Sequence, residues 1–142
     1  SVPDPTPTDR EYVRAGVQYT TMGWEVYPMA IYDVLMMLKQ DYNNPVVFVT
    51  ENGAAFTDKV VNGRVHDPKR IDYLKGYLGG VKKALDEGAN CRGYFVWSFT
   101  DNFEWAEGYS KRFGLVYVDY KTQKRIVKDS GLWYKELIGA QK

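Results

Sequence analysis

Behind Pro28, the apolar positions Ile31, Val34, Leu35 and Leu38 recur at helical spacing, which predicts a helix running to about Gln40. Met29, Ala30, Tyr32, Met36 and Met37 fill its other faces, so Asp33 is the only charge between residues 29 and 38. A helix this apolar all round is buried, or packs on something outside the chain. Asn43-Asn44-Pro45 stops it, and the run Val46-Val47-Phe48-Val49 predicts a strand ending at Thr50. Residues 54–66 read as a loop, with Asn62-Gly63 as a turn signal. Asp67-Pro68 starts a second helix, Asp67 at the N-cap and Pro68 at the first helical position. Ile71, Leu74, Leu78, Val81 and Leu85 then repeat at helical spacing, and Gly88 suits the stop. Gly76, Gly79 and Gly80 lie inside this helix, each costing about 1 kcal/mol relative to Ala. Its stability therefore has to come from tertiary packing. A second strand is predicted over Cys91–Trp97. Leu115–Tyr120 and Arg125–Lys128 predict a hairpin around Lys121-Thr122-Gln123-Lys124, and a last helix follows from about Ser130 to Ile138. Residues 1–10 are Pro-rich and read as extended, and residues 11–23 show no clear period.

Strands alternating with helices imply a parallel sheet in the α/β class. Neither main strand alternates polar with apolar residues, which predicts cover on both faces. Two parallel strands alone leave two bare edges and too little sheet to enclose a core. The chain therefore reads as one segment, residues 1–142, of a larger α/β domain.

Composition narrows the class. The chain has 142 residues, 44% hydrophobic and 26% charged, which is the balance of a globular protein rather than a disordered one. A net charge of +1 provides no electrostatic footprint for nucleic acid or an anionic membrane. No apolar run approaches a membrane span. The start, Ser1-Val2-Pro3-Asp4-Pro5, lacks the basic and apolar regions of a signal peptide, and Cys91 is the only cysteine. Both point to a reducing compartment, and a cytoplasmic location is the expectation. One His and one Cys do not make a His/Cys zinc site, and no cofactor is expected. The aromatic fraction, 15% with twelve Tyr and four Trp, suits either a large core or a carbohydrate-handling surface.

Candidate chemistry gathers at the ends of the two apolar strands. Thr50-Glu51-Asn52-Gly53 follows the first; Trp97-Ser98-Phe99-Thr100-Asp101-Asn102-Phe103-Glu104-Trp105 follows the second. A carboxylate at the carboxyl end of a parallel barrel strand reads as catalytic. The same tetrapeptide also reads as a plain Asn-Gly turn with Glu51 as its solvated neighbour. A carboxylate between Phe103 and Trp105 can accept hydrogen bonds from adjacent sugar hydroxyls, and an indole offers an N–H and a stacking face. Those rings serve equally well as core. His66 reads as a loop residue and Met36-Met37 as packing.

Thr50-Glu51-Asn52-Gly53, Gly93-Tyr94-Phe95-Val96-Trp97-Ser98, Asp101-Asn102-Phe103-Glu104-Trp105, Gly108-Tyr109, Arg112-Phe113-Gly114-Leu115, Val118-Asp119-Tyr120 and Lys128-Asp129-Ser130 stand in order along the chain, preceded by Gly23-Trp24 and Tyr27-Pro28. In these residues the chain resembles the C-terminal part of family 1 glycoside hydrolases, the β-glucosidase family, from about Met22 onward. The resemblance implies about the last two strands and three helices of a (β/α)8 TIM barrel. It implies a retaining β-glycosidase acting by double displacement through a covalent glycosyl-enzyme on terminal β-D-glycosides. Glu51 is then the catalytic nucleophile and Trp97 the platform under the sugar. Glu104 and Trp105 hold its hydroxyls, and Phe113 helps line the pocket. Asp101, Asn102 and Tyr109 fall to supporting roles, and neither metal nor cofactor is implied.

The family's general acid/base lies in an Asn-Glu-Pro motif, and no Asn-Glu-Pro occurs in this chain. The Met29-Ala30 pair also departs from the more usual Glu-Gly. The chain is thus expected to hold the nucleophile half of the site, to be inactive alone, and to need a complementary N-terminal barrel segment as partner. Two rival readings are a non-catalytic sugar-binding module that keeps Trp97, Glu104 and Trp105, and a half-barrel that self-associates to cover its edges.

Overall fold

The computed structural model describes residues 14–140, so the Pro-rich segment 1–10 lies outside the described residues. Helix α1 (Met29–Asp41) leads into strand β1 (Val47–Asn52). A small hairpin, β2 (Val60–Val61) and β3 (Arg64–Val65), precedes helix α2 (Pro68–Asp86). Strand β4 (Cys91–Val96), the hairpin β5 (Val116–Val118) and β6 (Arg125–Val127), and helix α3 (Asp129–Gly139) complete the order. β1 and β4 form a parallel two-stranded sheet with α2 as the crossover.

Segment 54–66, expected to be loop, carries the β2–β3 hairpin. Val60 pairs with Val65 and Val61 with Arg64, and the turn residues Asn62 and Gly63 both take positive φ. That conformation is the one an Asn-Gly hairpin turn requires.

α2 buries Leu74, Tyr73, Tyr77, Val81 and Ala84 against α1 and the sheet. Burying a leucine of this kind stabilises by about 1.5–3 kcal/mol. The helix-interior glycines now have a reason. A Cβ at Gly80 would stand 2.9 Å from both the Pro28 carbonyl oxygen and Ile31 Cγ2, and one at Gly76 would stand 2.9 Å from Pro28 Cγ. Glycine lets α2 lie directly on the first turn of α1. At Gly79 a Cβ meets nothing within 4 Å. Asp67 flanks α2 as expected but makes no capping bond with its side chain. That carboxylate instead holds Arg70 and Ser130.

Of the two strand faces expected to be covered in the larger domain, the described residues cover one. Val47 and Val49 pack toward α1 and α2, whereas Phe48 and Phe95 remain 54% and 57% exposed. The helices of this chain lie over one face only. α1 likewise keeps Val34 and Met37 exposed, an apolar surface with no partner among the described residues.

Candidate active site

Glu51 and Trp97 occupy the carboxyl ends of neighbouring parallel strands. Asn52 pairs with Val96, and the Trp97 N–H donates to the Asn52 carbonyl at 3.0 Å. The backbones approach so closely that a Cβ at Gly53 would lie 1.6 Å from the Trp97 carbonyl oxygen. Only glycine fits there. The Glu51 residue is solvent-exposed and borders a groove of about 370 Å³ that runs along the free edge of β1 beneath α1. Val34, Leu38 and Phe48 line it too, and Trp97 and Glu104 do not. Trp97 is itself partly exposed, at 36%.

The segment after β4 is buttressed by residues 113–116. Ser98 N–H donates to the Phe113 carbonyl, Leu115 N–H to that of Ser98, Val116 N–H to that of Phe99, and Asp101 N–H to that of Val116. Phe113 is thereby enclosed, 3% exposed, with its ring tilted against Trp24 at 5.9 Å. Glu104 precedes a single 3-10 turn, Trp105–Glu107, closed by Glu104 N–H to the Gly108 carbonyl at 2.7 Å. This turn holds Trp105 out at 85% exposure. Glu104 Oε2 is shielded from solvent and has no hydrogen-bond partner among the described residues. A shielded acceptor of this kind is unfavourable until a donor reaches it.

Beneath these loops lies a charged hub that the sequence did not reveal. Asp101 Oδ1 accepts from Lys128 Nζ at 2.8 Å and Gly114 N–H at 2.9 Å, and Oδ2 accepts from Arg112 Nη1 at 2.5 Å. Lys128 also donates to Asp58 at 2.5 Å. Arg70 forks onto both Asp58 oxygens at 3.1 and 2.9 Å, bonds Asp67, and donates to the Arg112 carbonyl at 2.9 Å. Asp58, Asp67 and Asp101 thus face Arg70, Arg112 and Lys128, a balance of formal charge. Burial, then the charge of Arg70, pulls the Lys128 ammonium below its usual range against Asp58 and Asp101. For Arg70 burial acts downward too, but Asp58 and Asp67 outweigh it and the guanidinium is held above its usual range. Asp101, Arg112 and Lys128 stood in the quoted motifs and Asp67 at a helix start, but nothing in the sequence marked Asp58 or Arg70.

The comparisons with known proteins agree with this geometry. The chain matches Glycosyl hydrolase family 1 over residues 4–142. It is 59% identical over 133 residues to Beta-glucosidase A of Thermotoga maritima, covering 93% of this chain and 30% of that protein. It is 55% identical over 134 residues to the 1,4-beta-D-glucan glucohydrolase of Thermotoga neapolitana, covering 94% and 30%. The solved β-glucosidase from Thermotoga maritima in complex with glucoimidazole superposes with a TM-score of 0.87 at 59% identity, over 91% of this chain and 30% of that one. The chain therefore spans about 30% of the length of these relatives, and its open two-stranded sheet is a piece of the TIM barrel they share. It belongs to glycosyl hydrolase family 1.

Proposed function

We propose that this chain is the C-terminal segment, within a single barrel domain, of a retaining β-glycosidase of the β-glucosidase kind. Glu51 attacks the anomeric carbon of a terminal β-D-glycoside and forms a covalent glycosyl-enzyme, which water then hydrolyses. The proton for the leaving group comes from a second carboxyl group on the complementary N-terminal segment. Retaining chemistry needs two such groups about 5–5.5 Å apart. Trp97 stacks under the pyranose, and Glu104 and Trp105 hold its hydroxyls. Phe113 helps line the pocket.

The observation that carries this reading is the seating of Glu51 and Trp97 on adjacent parallel strand ends, joined by the Trp97 N–H bond to Asn52. The unpartnered Glu104 Oε2 supports the hydroxyl-binding role, since a sugar O–H is the donor it lacks. The complementary segment is argued from the bare β1 edge, where the groove beside Glu51 has the apolar lining that another barrel strand would cover. With that strand absent, Glu51 and Trp97 share no wall. No helix among the described residues is long and apolar enough to cross a membrane, and the buried free thiol of Cys91 suits a reducing compartment.

The direct test is trapping. The chain, assembled with its complementary segment and treated with a 2-deoxy-2-fluoro-glucoside, should gain one glycosyl group on the peptide carrying Glu51. Labelling of any other residue contradicts the assignment. A second reading is favoured by the exposure of Phe48 and Phe95: without its complement, the chain pairs with a second copy through the same face. Sedimentation of the isolated chain distinguishes a dimer from a monomer.

A further inference from the structure

We propose that Asn52 is a positioning residue for Glu51, pinning the shifted register at the strand end that carries it. The proposal rests on the reading of Glu51 as nucleophile. It starts from the register of β1 against β4. Val49 pairs with Tyr94 and Asn52 with Val96, so three steps along β1 match two along β4. The register therefore shifts at Thr50–Glu51, offsetting the opposite shift between Val47 and Phe48, where one step along β1 matches two along β4.

Burial follows the same break. Val47 and Val49 face the helices and Phe48 faces away. In an unbroken strand of period two, residue 51 would join Val47 and Val49 on the helix side. Instead Thr50 and Glu51 are both exposed, and the partly buried Asn52 returns to the helix layer. A register shift next to a site re-aims a side chain in this way.

Asn52 is anchored from two elements. Tyr94 on β4 donates its hydroxyl to Asn52 Oδ1 at 2.5 Å. The Asn52 amide donates to the Tyr73 hydroxyl on α2 at 3.3 Å. Tyr73 stacks on Tyr77 with ring centres 4.2 Å apart, and the Tyr77 hydroxyl accepts the Tyr27 N–H at 3.2 Å. Tyr134 on α3 donates to the Tyr94 carbonyl at 3.3 Å. Burial above all holds the Tyr73 and Tyr94 phenols far above their usual range, so Tyr94 stays a donor wherever the enzyme works. On the far side, Gly53 lies against the Trp97 carbonyl. The chain directly after Glu51 is thus held by the Asn52 side chain and by the Gly53 backbone. Without the Asn52 anchor, the register at the end of β1 is free to slip and the Glu51 carboxylate moves with it.

The test uses the chain assembled with its complementary segment. Asn52→Leu keeps the branched side-chain shape but removes both hydrogen bonds; Tyr94→Phe removes one and leaves the ring. Misplacing a nucleophile by about 1 Å costs on the order of a hundredfold in rate. For Asn52→Leu we expect a kcat loss of that order on an aryl β-glucoside, with KM within about threefold of the parent. Fluoro-glucoside labelling of Glu51 should slow in parallel. Tyr94→Phe should give part of the same loss, and the double variant no more than Asn52→Leu alone. Parent-like kcat in assembled Asn52→Leu overturns the proposal. If that variant does not assemble, parent-like kcat in Tyr94→Phe does so. Glu51→Gln separates the two levels. If it is inactive while the Asn52 and Tyr94 variants are normal, only the positioning role fails. If it stays active, the nucleophile assignment falls and this proposal falls with it.

Discussion

The charged hub and the open face of the β1–β4 sheet stand in opposite conditions. In the hub, Arg70 and Lys128 are buried and paired with Asp58, Asp67 and Asp101, all supplied by this chain. At the open face Phe48 and Phe95 stand exposed, and Phe99 and Trp105 stand exposed on the loop that also carries Asp101. Buried charges tolerate no missing partner, whereas an apolar face can wait for one. The hub therefore holds the loop after β4 from within this chain, and on the proposed reading completion of the sugar site is left to another segment.

The sharpest way to break this contrast is Arg70→Ala. It leaves Asp58 and Asp67 buried without their cation, a loss of roughly 3–5 kcal/mol. Urea denaturation of the chain should show its transition collapse; an unchanged midpoint would mean the hub does not hold the fold. On the open face, Phe95→Ser should leave the isolated chain within about 0.5 kcal/mol of the parent. It should weaken association with the complementary segment by about 3 kcal/mol, as for a core phenylalanine, read by titration of one segment into the other.

Two of the three glycines of α2 give a smaller and signed effect. Gly80→Ala forces a methyl against the Pro28 carbonyl and should destabilise by about 1–3 kcal/mol. Gly79→Ala meets nothing and should stabilise by about 0.5–1 kcal/mol. Equal effects at the two positions would remove the packing account of α1 on α2. Smallest is a pH effect at the hub's rim. His66 first, then Arg64, holds the Asp129 carboxyl below its usual 3.8. A carboxyl depressed in the folded state adds stability that is complete above its unfolded value and fades as pH falls through the folded one. His66→Ala should move the Asp129 titration, followed by carboxyl NMR, back up toward 3.8.

Much of the frame was legible in the sequence. The apolar runs at 46–49 and 93–96 marked the two parallel strands, and the 3-4-3-4 spacing from Ile71 to Leu85 marked α2. Asp67-Pro68 and Gly88 bracketed that helix, and Gly88 takes the positive φ of a helix stop. What stayed hidden was whatever depends on contacts between distant residues. Asp58 and Lys128 are 70 positions apart, so nothing local marks them as a buried pair. The glycines of α2 looked only unfavourable until α1 was seen lying on them. The register shift at Thr50–Glu51 was invisible because a single shift in a six-residue strand leaves no periodic trace. Glu51 and the Trp97–Trp105 segment were found from their position after apolar strands. The enclosure of Phe113 beside Trp24 needed the pairing of residues 98–101 with 113–116.

The central claim is that this chain holds the nucleophile half of a β-glycosidase site and cannot act without the other half. Turnover of an aryl β-glucoside measures it directly, with the chain alone and then with the complementary segment added. The account predicts no turnover from the chain alone, turnover on mixing, and none on mixing with Glu51→Gln. Full activity from the isolated chain, or undiminished activity in the Glu51→Gln assembly, would contradict it.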